Sequence, residues 1–381
     1  MKKILSLILI VTLALFAVSA FAEETETDII EIEKHGNLVL SLAATELLKA
    51  GYDYGDIVTV TINGTAYDMP IGFNFSDVDQ GSMLCRAVIK PASNEDKIIL
   101  AINMGDLATL SGIATQEKTE TDPGYIWHYN PGITEPVRVS IAMKEQGGYY
   151  DEYLLNRLVR SENREDYPGL SDREFANFRA ITTTGIGAGK LYRSSSPVNP
   201  EINRNGIADR EAAAAGVKVF VNLADNAEEM RGYEGFSDTY CSTQTIIPLN
   251  LGLDFTTEEF RNGLAEGLRF IAAHEGPYLV HCTEGKDRAA FASAVLECLM
   301  GASADEVIAD YMITFFNYYG VQPGTEQYDV IARKNICQSL ETAFGVTDIR
   351  EADLRTEAET YLLEIGLSAD EIAQVRARLG D

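Results

Sequence analysis

HCTEGKDR, residues 281–288, is the stretch that decides the fold of the second half of this chain. It places Cys282 six residues before Arg288, between a short apolar run at 276–280 and a helix-like pattern at 289–300. The apolar run predicts a buried strand after a turn, and the spacing of apolar residues beyond the stretch predicts a helix.

A loop of this length between a strand and a helix turns its backbone N–H groups inward at a helix N-terminus, which attracts a phosphate-sized anion. The same positive field would hold Cys282 as the thiolate, which is the attacking form. The planar guanidinium of Arg288 could then clamp two phosphoryl oxygens. The stretch therefore predicts cleavage of phosphate monoesters. The alternative interpretation of Cys282 is a buried structural cysteine near a helix start.

The full string is more specific than the cysteine–arginine spacing, because it adds a preceding histidine, an interior glycine and the strand–loop–helix context. It resembles the signature of the cysteine-dependent protein-tyrosine-phosphatase superfamily. Within that superfamily it is most similar to the bacterial branch of tyrosine and phosphoinositide phosphatases. Residues 175–179, 189–194 and 221–225 resemble other blocks of the same group.

The resemblance implies an α/β fold with a tyrosine-phosphatase-like central sheet flanked by helices, and alternating strand and helix patterns agree with this. It implies that Cys282 is the nucleophile and that Arg288 and the loop amides stabilise the transition state. No cofactor and no metal ion is expected. The predicted substrate-binding residues are the remainder of the loop and the histidine before it: Thr283, Glu284, Gly285, Lys286 and His281.

Several of these positions have more than one interpretation. Lys286 adds a second cation, which in relatives goes with tolerance for phosphoinositides, and Glu284 partly opposes it. His281 is expected to orient the loop and to favour the thiolate. Arg193 is either a further phosphate contact or an ion-paired framework residue. Many relatives have Ser or Thr directly after the arginine, whereas residues 289–290 here are alanines.

The leaving oxygen needs a proton, so a carboxylic acid must stand beside it. Asp254 matches the usual position of the family's acid loop, although its flanking residues differ. Asp287 resembles the arrangement in myotubularin-type phosphatases, where the acid precedes the arginine. Asp225 ends a strand on the same predicted side. Asp254 and Asp287 are the favoured candidates.

Composition limits the partners of the chain. Lysine and arginine number 31 against 58 aspartates and glutamates, a formal net charge of -27. That balance argues against nucleic acid and anionic membrane surfaces. A phosphorylated protein or a small phosphomonoester is the expected substrate, attracted by the local loop alone. The five cysteines are an odd number, so at least one stays unpaired within the chain.

The chain is predicted to begin with a signal peptide at 1–22, because two lysines precede an apolar run and a small-residue cleavage site. We therefore expect a secreted or cell-surface protein without an integral membrane domain after cleavage. An acidic tether is predicted at 23–34, a small β-rich domain at 35–117, a connector at 118–134 and the catalytic domain at 135–381.

The β-rich domain has strand-like apolar runs and an Asn-Gly hairpin signal at 63–64. Between residues 36 and 105 it is similar to the C-terminal barrel domain of S-adenosylmethionine hydroxide adenosyltransferases. That family's chemistry also needs an N-terminal domain, for which there is no room here. The barrel is therefore interpreted as a binding or spacer module.

These observations predict an exported cysteine-dependent phosphatase that acts on phosphotyrosine, or on phosphoinositides or inositol phosphates, through a cysteinyl-phosphate. Two alternatives remain. One is a catalytically weak phosphate-binding module, and the other is a surface adhesion protein in which the phosphatase fold is a scaffold.

Overall fold

The computed structural model describes residues 24–381, so the predicted signal peptide at 1–22 lies outside the described residues. The chain divides into two compact units, one ending at Arg157 and the other spanning residues 158–381. No helix in the described part of the chain is long and apolar enough to cross a membrane.

The first unit is a β-barrel with short helices at its connections. Its strands are β1 (Thr25–Ile32), β2 (Leu38–Leu40), β3 (Ile57–Ile62), β4 (Thr65–Gly72), β5 (Met83–Lys90), β6 (Glu95–Ile102), β7 (Ala114–Lys118), β8 (Tyr125–Tyr129) and β9 (Arg138–Glu145). Its helices are α1 (Ala44–Lys49), α2 (Leu107–Leu110) and α3 (Tyr150–Asn156), with 3₁₀ turns at Phe75–Asp77 and Pro91–Ser93.

The barrel closes in the neighbour order β1-β2-β6-β5-β4-β3-β9, and β9 pairs back to β1. Its neighbours are antiparallel except for the short parallel contact of β4 with β5. In β3 the buried residues Val58, Val60 and Ile62 alternate with half-buried ones, as the period of a strand requires. Asn63 and Gly64 both have positive φ, which confirms the predicted hairpin turn.

Three predicted boundaries of the first unit were wrong. The tether expected at 23–34 contains β1, which pairs with β2 and β9. The catalytic domain expected to begin at 135 does not include β9, which closes the barrel between β1 and β3. The connector contains β8, which pairs with β7 in a separate two-stranded sheet. β1 was not recognised as a strand because its sequence is largely polar. Only alternate residues such as Thr27 and Ile29 are buried.

The second unit is an α/β domain. Its strands are β10 (Arg179–Ala180), β11 (Leu191–Ser194), β12 (Val219–Asn222), β13 (Thr245–Pro248) and β14 (Tyr278–His281). Its helices are α4 (Asp172–Phe175), α5 (Asn205–Ala214), α6 (Ala227–Gly232), α7 (Glu258–Ala273), α8 (Arg288–Met300), α9 (Ala304–Tyr319), α10 (Glu326–Ala332), α11 (Gln338–Phe344), α12 (Leu354–Glu364) and α13 (Ala369–Leu379). A π-helical turn, Arg333–Cys337, joins α10 to α11, and 3₁₀ turns occur at Arg164–Asp166, Phe236–Asp238 and Cys241–Thr243.

The sheet of the second unit has the order β10-β11-β14-β12-β13. β14 lies at its centre, parallel to both β11 and β12. All four residues of β14 are buried, as expected for a parallel strand covered on both faces. The predicted strand and the α/β class are therefore confirmed.

Helix α8 follows β14 and is buried on every side from Ala289 to Leu299, which suits a helix that is apolar all round. It ends at Gly301, whose backbone is left-handed as is usual at a helix C-terminus. The chain beyond Ser303 is helical. The Cys282 loop therefore sits between a central strand and a central helix.

Candidate active site

Cys282 directly follows the last residue of β14, and its side chain is buried at the bottom of the loop. The loop ends where α8 begins at Arg288. Ligand sites of open α/β sheets lie at the carboxyl ends of their strands, and this loop occupies that position. The N-terminus of α8 adds its unpaired N–H groups to the same place.

Three successive carbonyl groups of the loop are turned outward and held by buried donors. The bonds run from the Ser196 amide to Thr283 O (3.0 Å), from the Tyr318 hydroxyl to Glu284 O (2.5 Å) and from Arg193 Nε to Gly285 O (2.9 Å). A trans peptide points its N–H opposite to its C=O. The amides of Glu284, Gly285 and Lys286 therefore face the inside of the loop, above Cys282.

Gly285 is required for this conformation. Its φ is +69°, and an added Cβ would collide with the Ser194 carbonyl. A side chain would therefore meet both an unfavourable backbone region and the neighbouring strand β11. The interior glycine of the sequence stretch thus permits a close approach of two backbones.

Arg193 is fully buried and belongs to the framework of the loop. It donates from Nη1 to Asp310 Oδ2 (2.8 Å) and from Nη2 to Thr314 Oγ1 (3.0 Å), besides its bond to Gly285. Arg179 holds the other oxygen of Asp310, Oδ1, at 2.7 Å. Burial and the neighbouring Arg179 lower the pKa of Arg193 to about 10, so Arg193 stays charged at neutral pH. Of its two interpretations, the framework role is the one the structure shows.

Asp310 is ionised in spite of its burial. Desolvation opposes its charge, but Arg179 and Arg193 together hold its pKa below the ordinary value of an aspartate. The carboxylate therefore fixes the orientation of Arg193, and Arg193 in turn fixes the loop carbonyl of Gly285.

Arg288 turns its guanidinium across the loop. It donates from Nη1 to the Leu251 carbonyl (2.9 Å) and from Nη2 to Thr283 Oγ1 (3.3 Å). Its Nε is buried and has no hydrogen-bond partner among residues 24–381. Buried polar groups are ordinarily hydrogen-bonded, so this unpaired N–H is available to donate to an oxygen of a bound ligand.

The three other charged side chains of the loop form a local network. Lys286 Nζ lies 3.1 Å from Glu284 Oε2 and 3.7 Å from Asp287 Oδ2. Arg160 Nη1 lies 2.7 Å from the same oxygen of Glu284. Burial opposes the charge of Lys286, but Asp287 and Glu284 raise its pKa above the usual value. Lys286 is thus a cation engaged by two carboxylates of its own loop.

The surroundings of Asp254 and Asp287 shift the pKa values of the two carboxyl groups in opposite directions. Asp287 is partly buried, with 39% of its side chain exposed, and this desolvation raises its pKa, with a further contribution from Glu284 and against the opposing field of Lys286. Asp254 is exposed, and the hydroxyl and amide of Thr256 lower its pKa. A general acid must carry its proton at working pH, so Asp287 is the better suited of the two.

Asp225, the third candidate acid, is buried beside strand β12. Its carboxylate accepts hydrogen bonds from the Tyr233 hydroxyl (2.7 Å) and from the Asn222 side-chain amide (3.0 Å). Both oxygens thus have a partner within the protein. Asp225 and Thr283 line a common polar cavity, so Asp225 is near the loop but on the side of Thr283.

His281 is the last residue of β14, directly before Cys282, and its side chain is fully buried. Neither ring nitrogen has a hydrogen-bond partner within the described residues. Burial lowers its pKa to about 4, against the opposing field of Asp225. The ring is therefore neutral at pH 7, and a contact with the Cys282 backbone partly favours its charged form. That His281 orients the loop and favours the thiolate stays a prediction.

The sequence profile described as "Tyrosine phosphatase family" matches residues 172–381, more than half of the chain. The chain belongs to the tyrosine phosphatase family. A tyrosine-protein phosphatase from Nostoc commune is 27% identical to this phosphatase over 246 residues, which cover 56% of this chain and 80% of the relative.

Two solved structures have limited similarity. The core catalytic domain of the PP-IP phosphatase SIW14 from S. cerevisiae, in complex with citrate, has 17% identity and a TM-score of 0.27, covering 42% of this phosphatase and 85% of that chain. An uncharacterized conserved protein from Thermotoga maritima has 17% identity and a TM-score of 0.23, and the match covers 31% of this phosphatase and only 36% of that chain.

Within the phosphatase, sequence reasoning missed the buried residues that hold the loop from outside. These are Asn177, Arg179, Ser196, Asp310, Thr314 and Tyr318. One signal was available, because Asp310, Thr314 and Asn317 recur at helical spacing in the otherwise apolar α9. Such a polar stripe on an apolar helix indicates a buried polar partner. Arg160 lies before the segment that matches the family, and no pattern in the sequence marks it.

Ala289 and Ala290 are buried in the first turn of α8 and offer no hydroxyl group. Thr283 carries the nearest loop hydroxyl, and it accepts a hydrogen bond from Arg288. No three His, Cys, Asp or Glu side chains of residues 24–381 converge in a way that could hold a metal ion.

Proposed function

We propose that the phosphatase hydrolyses phosphotyrosine and related aryl phosphomonoesters through a cysteinyl-phosphate on Cys282. The observation that carries the proposal is the loop itself, in which three amides face inward above the sulfur while Arg288 keeps a buried donor without a protein partner. Amides and a guanidinium in this arrangement stabilise the equatorial oxygens of the phosphoryl group in the transition state of its transfer.

The first step joins Cys282 Sγ to phosphorus and breaks the bond from phosphorus to the leaving oxygen. Asp287 gives its proton to that oxygen, and its raised pKa supports this role. In the second step Asp287, now a carboxylate, takes a proton from water as the water oxygen joins phosphorus. The S–P bond breaks, and inorganic phosphate and the thiolate are released.

The surroundings of Asp287 support an aryl leaving group. A cavity of about 220 Å³ borders Asp287 and has an apolar wall formed by Leu253, Phe255 and Phe291. Phe255 stacks on Phe291 with ring centroids 4.6 Å apart, so this wall is firmly packed. A tyrosyl ring that leaves beside Asp287 would lie against these side chains, where apolar contact favours it.

The decisive experiment compares Cys282→Ser with Cys298→Ser, a matched change at a buried cysteine of α8. Turnover of p-nitrophenyl phosphate is expected to vanish in the first variant and to persist in the second. Acid quenching followed by intact mass measurement is expected to show one phosphoryl group on the unmodified protein. Turnover by the Cys282→Ser variant at the unmodified rate would overturn the proposal.

A second candidate, a phosphate-binding module with slow turnover, is favoured by Ala289 in place of a hydroxyl residue. It predicts a rapid burst of one p-nitrophenol per protein and then a much slower steady rate. Ala289→Ser is expected to accelerate the slow phase in that case. A linear time course without a burst would exclude accumulation of the intermediate.

We also propose that the chain is exported, on the basis of the signal-peptide pattern at residues 1–22. N-terminal sequencing of protein recovered from a secreting host is expected to begin at Glu23. Recovery of the intact chain from the cytoplasm alone would contradict this.

A further inference from the structure

We infer that Glu284 is a specificity-determining residue: its carboxylate withholds the ammonium of Lys286 from substrate, and Arg160 keeps that carboxylate in place. The inference rests on the proposed phosphomonoesterase function of the loop. It predicts a site adapted to substrates with one phosphate, in contrast to the tolerance for polyphosphates that the loop sequence suggested.

The first step of the argument is the position of Lys286. Its Nζ lies 3.1 Å from Glu284 Oε2, and the side chain is only 21% exposed. The ring centroid of Tyr319 lies 5.9 Å from Nζ, and Asp287, the proposed proton donor, lies 3.7 Å away, so Glu284 is the anionic partner of the ammonium when Asp287 carries its proton. A second phosphate on a substrate would have to compete with these groups for it.

The second step is the position of Glu284. Its backbone carbonyl accepts a hydrogen bond from Tyr318, and its carboxylate Oε2 lies 2.7 Å from Arg160 Nη1. Burial opposes its charge, but Lys286 and Arg160 hold its pKa below the usual value. Glu284 is therefore an ionised carboxylate paired with Lys286 and Arg160, and it offsets the charge that Lys286 would otherwise present to an additional phosphate.

The third step is the position of Arg160. It is 16% exposed, pairs with Glu162 at 2.8 Å, and lies 5.3 Å over the ring of Tyr318. Because several contacts fix its guanidinium, Arg160 neutralises Glu284 without entering the loop. Arg160 precedes residues 172–381, which match the family, so the residue that holds Glu284 lies outside the matched segment.

The test measures kcat/KM for p-nitrophenyl phosphate, with one phosphate, and for phytate, with several. Glu284→Gln keeps the shape and removes the charge, so the phytate to p-nitrophenyl phosphate ratio is expected to rise about tenfold. The effect of Lys286→Gln on that ratio is expected to be about tenfold larger in the Glu284→Gln background than in the unmodified protein. That coupling would show that Glu284 had withheld the lysine.

Arg160→Gln supplies an independent measurement. With one cation removed, Glu284 repels both substrates more strongly, and KM is expected to rise about fivefold with kcat nearly retained. The double variant Arg160→Gln/Glu284→Gln is expected to restore KM. A merely structural role of Arg160 would lower kcat and the melting temperature together, without rescue.

Failure of the proposed function and failure of this inference would give different results. Absence of Cys282-dependent p-nitrophenyl phosphate turnover in the unmodified protein would overturn the proposed function. With that turnover present, an unchanged substrate ratio in Glu284→Gln would overturn the inference alone. If Glu284→Gln does not fold, the Lys286→Gln variant alone decides. A tenfold loss of phytate turnover in that variant would show that Lys286 already contacts substrate, and the inference would be wrong. No such loss would support the inference.

Discussion

At the scale of single residues, the site is controlled by which carboxyl groups carry a proton. Asp254 and Asp287 are chemically identical, yet Thr256 stabilises the charge of the first and burial destabilises the charge of the second. Only a carboxyl that resists ionisation can donate a proton near neutral pH. The assignment of the general acid therefore depends on surroundings that a residue name does not contain.

The first prediction concerns Asp287→Asn, with Asp254→Asn as its matched control. We expect Asp287→Asn to lower kcat for phenyl phosphate by about 100-fold, because the poor leaving group needs the proton. The loss should be much smaller for p-nitrophenyl phosphate, whose leaving group is stable as the anion. Asp254→Asn should leave both substrates within about threefold of the unmodified protein.

The pH dependence follows from the same carboxyl. Asp287 acts as an acid only when protonated, so activity on phenyl phosphate falls as pH rises through its pKa. Burial raises that pKa, which places the alkaline limb above the range of an ordinary aspartate. In Asp287→Asn this limb should disappear. A limb that persists there but is lost in Asp254→Asn would reverse the assignment.

At the scale of elements, the residue after β14 supplies the sulfur, the first residue of α8 supplies the guanidinium, and β11 and α9 hold the loop from outside. The link from α9 is the buried Asp310, which contacts both Arg179 and Arg193. Removing one member of a buried ionic cluster leaves the others without compensation, and this costs more than the cluster itself contributes. The loop geometry and the stability of the domain are therefore coupled through one helix.

The second prediction is that Asp310→Asn lowers the free energy of unfolding by about 3 kcal/mol and reduces kcat, because Arg193 loses the charge that orients it. Asp305→Asn is the control, since Asp305 is exposed on the same helix and pairs with Arg350 at 3.4 Å. That change should stay within about 0.5 kcal/mol. Urea unfolding followed by circular dichroism measures both, and a loss below about 1 kcal/mol for Asp310→Asn would contradict the coupling.

At the scale of the molecule, the two units have separate cores and the candidate active site lies within residues 158–381. The first unit is a barrel whose closure depends on β9. A cut before β9 would leave that strand attached to the second unit without its partners β1 and β3. Val139 and Ile141, which are buried in the barrel, would then be exposed on an unpaired strand.

The third prediction follows from these boundaries. A chain of residues 158–381 is expected to be monomeric and to retain p-nitrophenyl phosphate turnover within about threefold, because the residues that hold the loop remain present. A chain of residues 118–381 is expected to aggregate, through the exposed apolar strand. Size-exclusion chromatography and steady-state kinetics measure both. Equal behaviour of the two chains would show that β9 does not matter for the boundary.

The sequence by itself determined the centre of this protein. The strand, the loop and the helix around Cys282 follow from local signals, because their residues are neighbours in the chain and their hydrophobic pattern is continuous. The α/β class and the Asn63-Gly64 hairpin were predictable for the same reason. Membership of the tyrosine phosphatase family agrees with the signature at 281–288.

Only the tertiary structure decided which side chains are buried beside which charges. It separated Asp287 from Asp254, made Arg193 a framework residue and placed Arg160 beside Glu284. It also assigned β9 to the barrel. These outcomes depend on desolvation and on contacts between residues far apart in the chain, and neither is encoded in a local pattern.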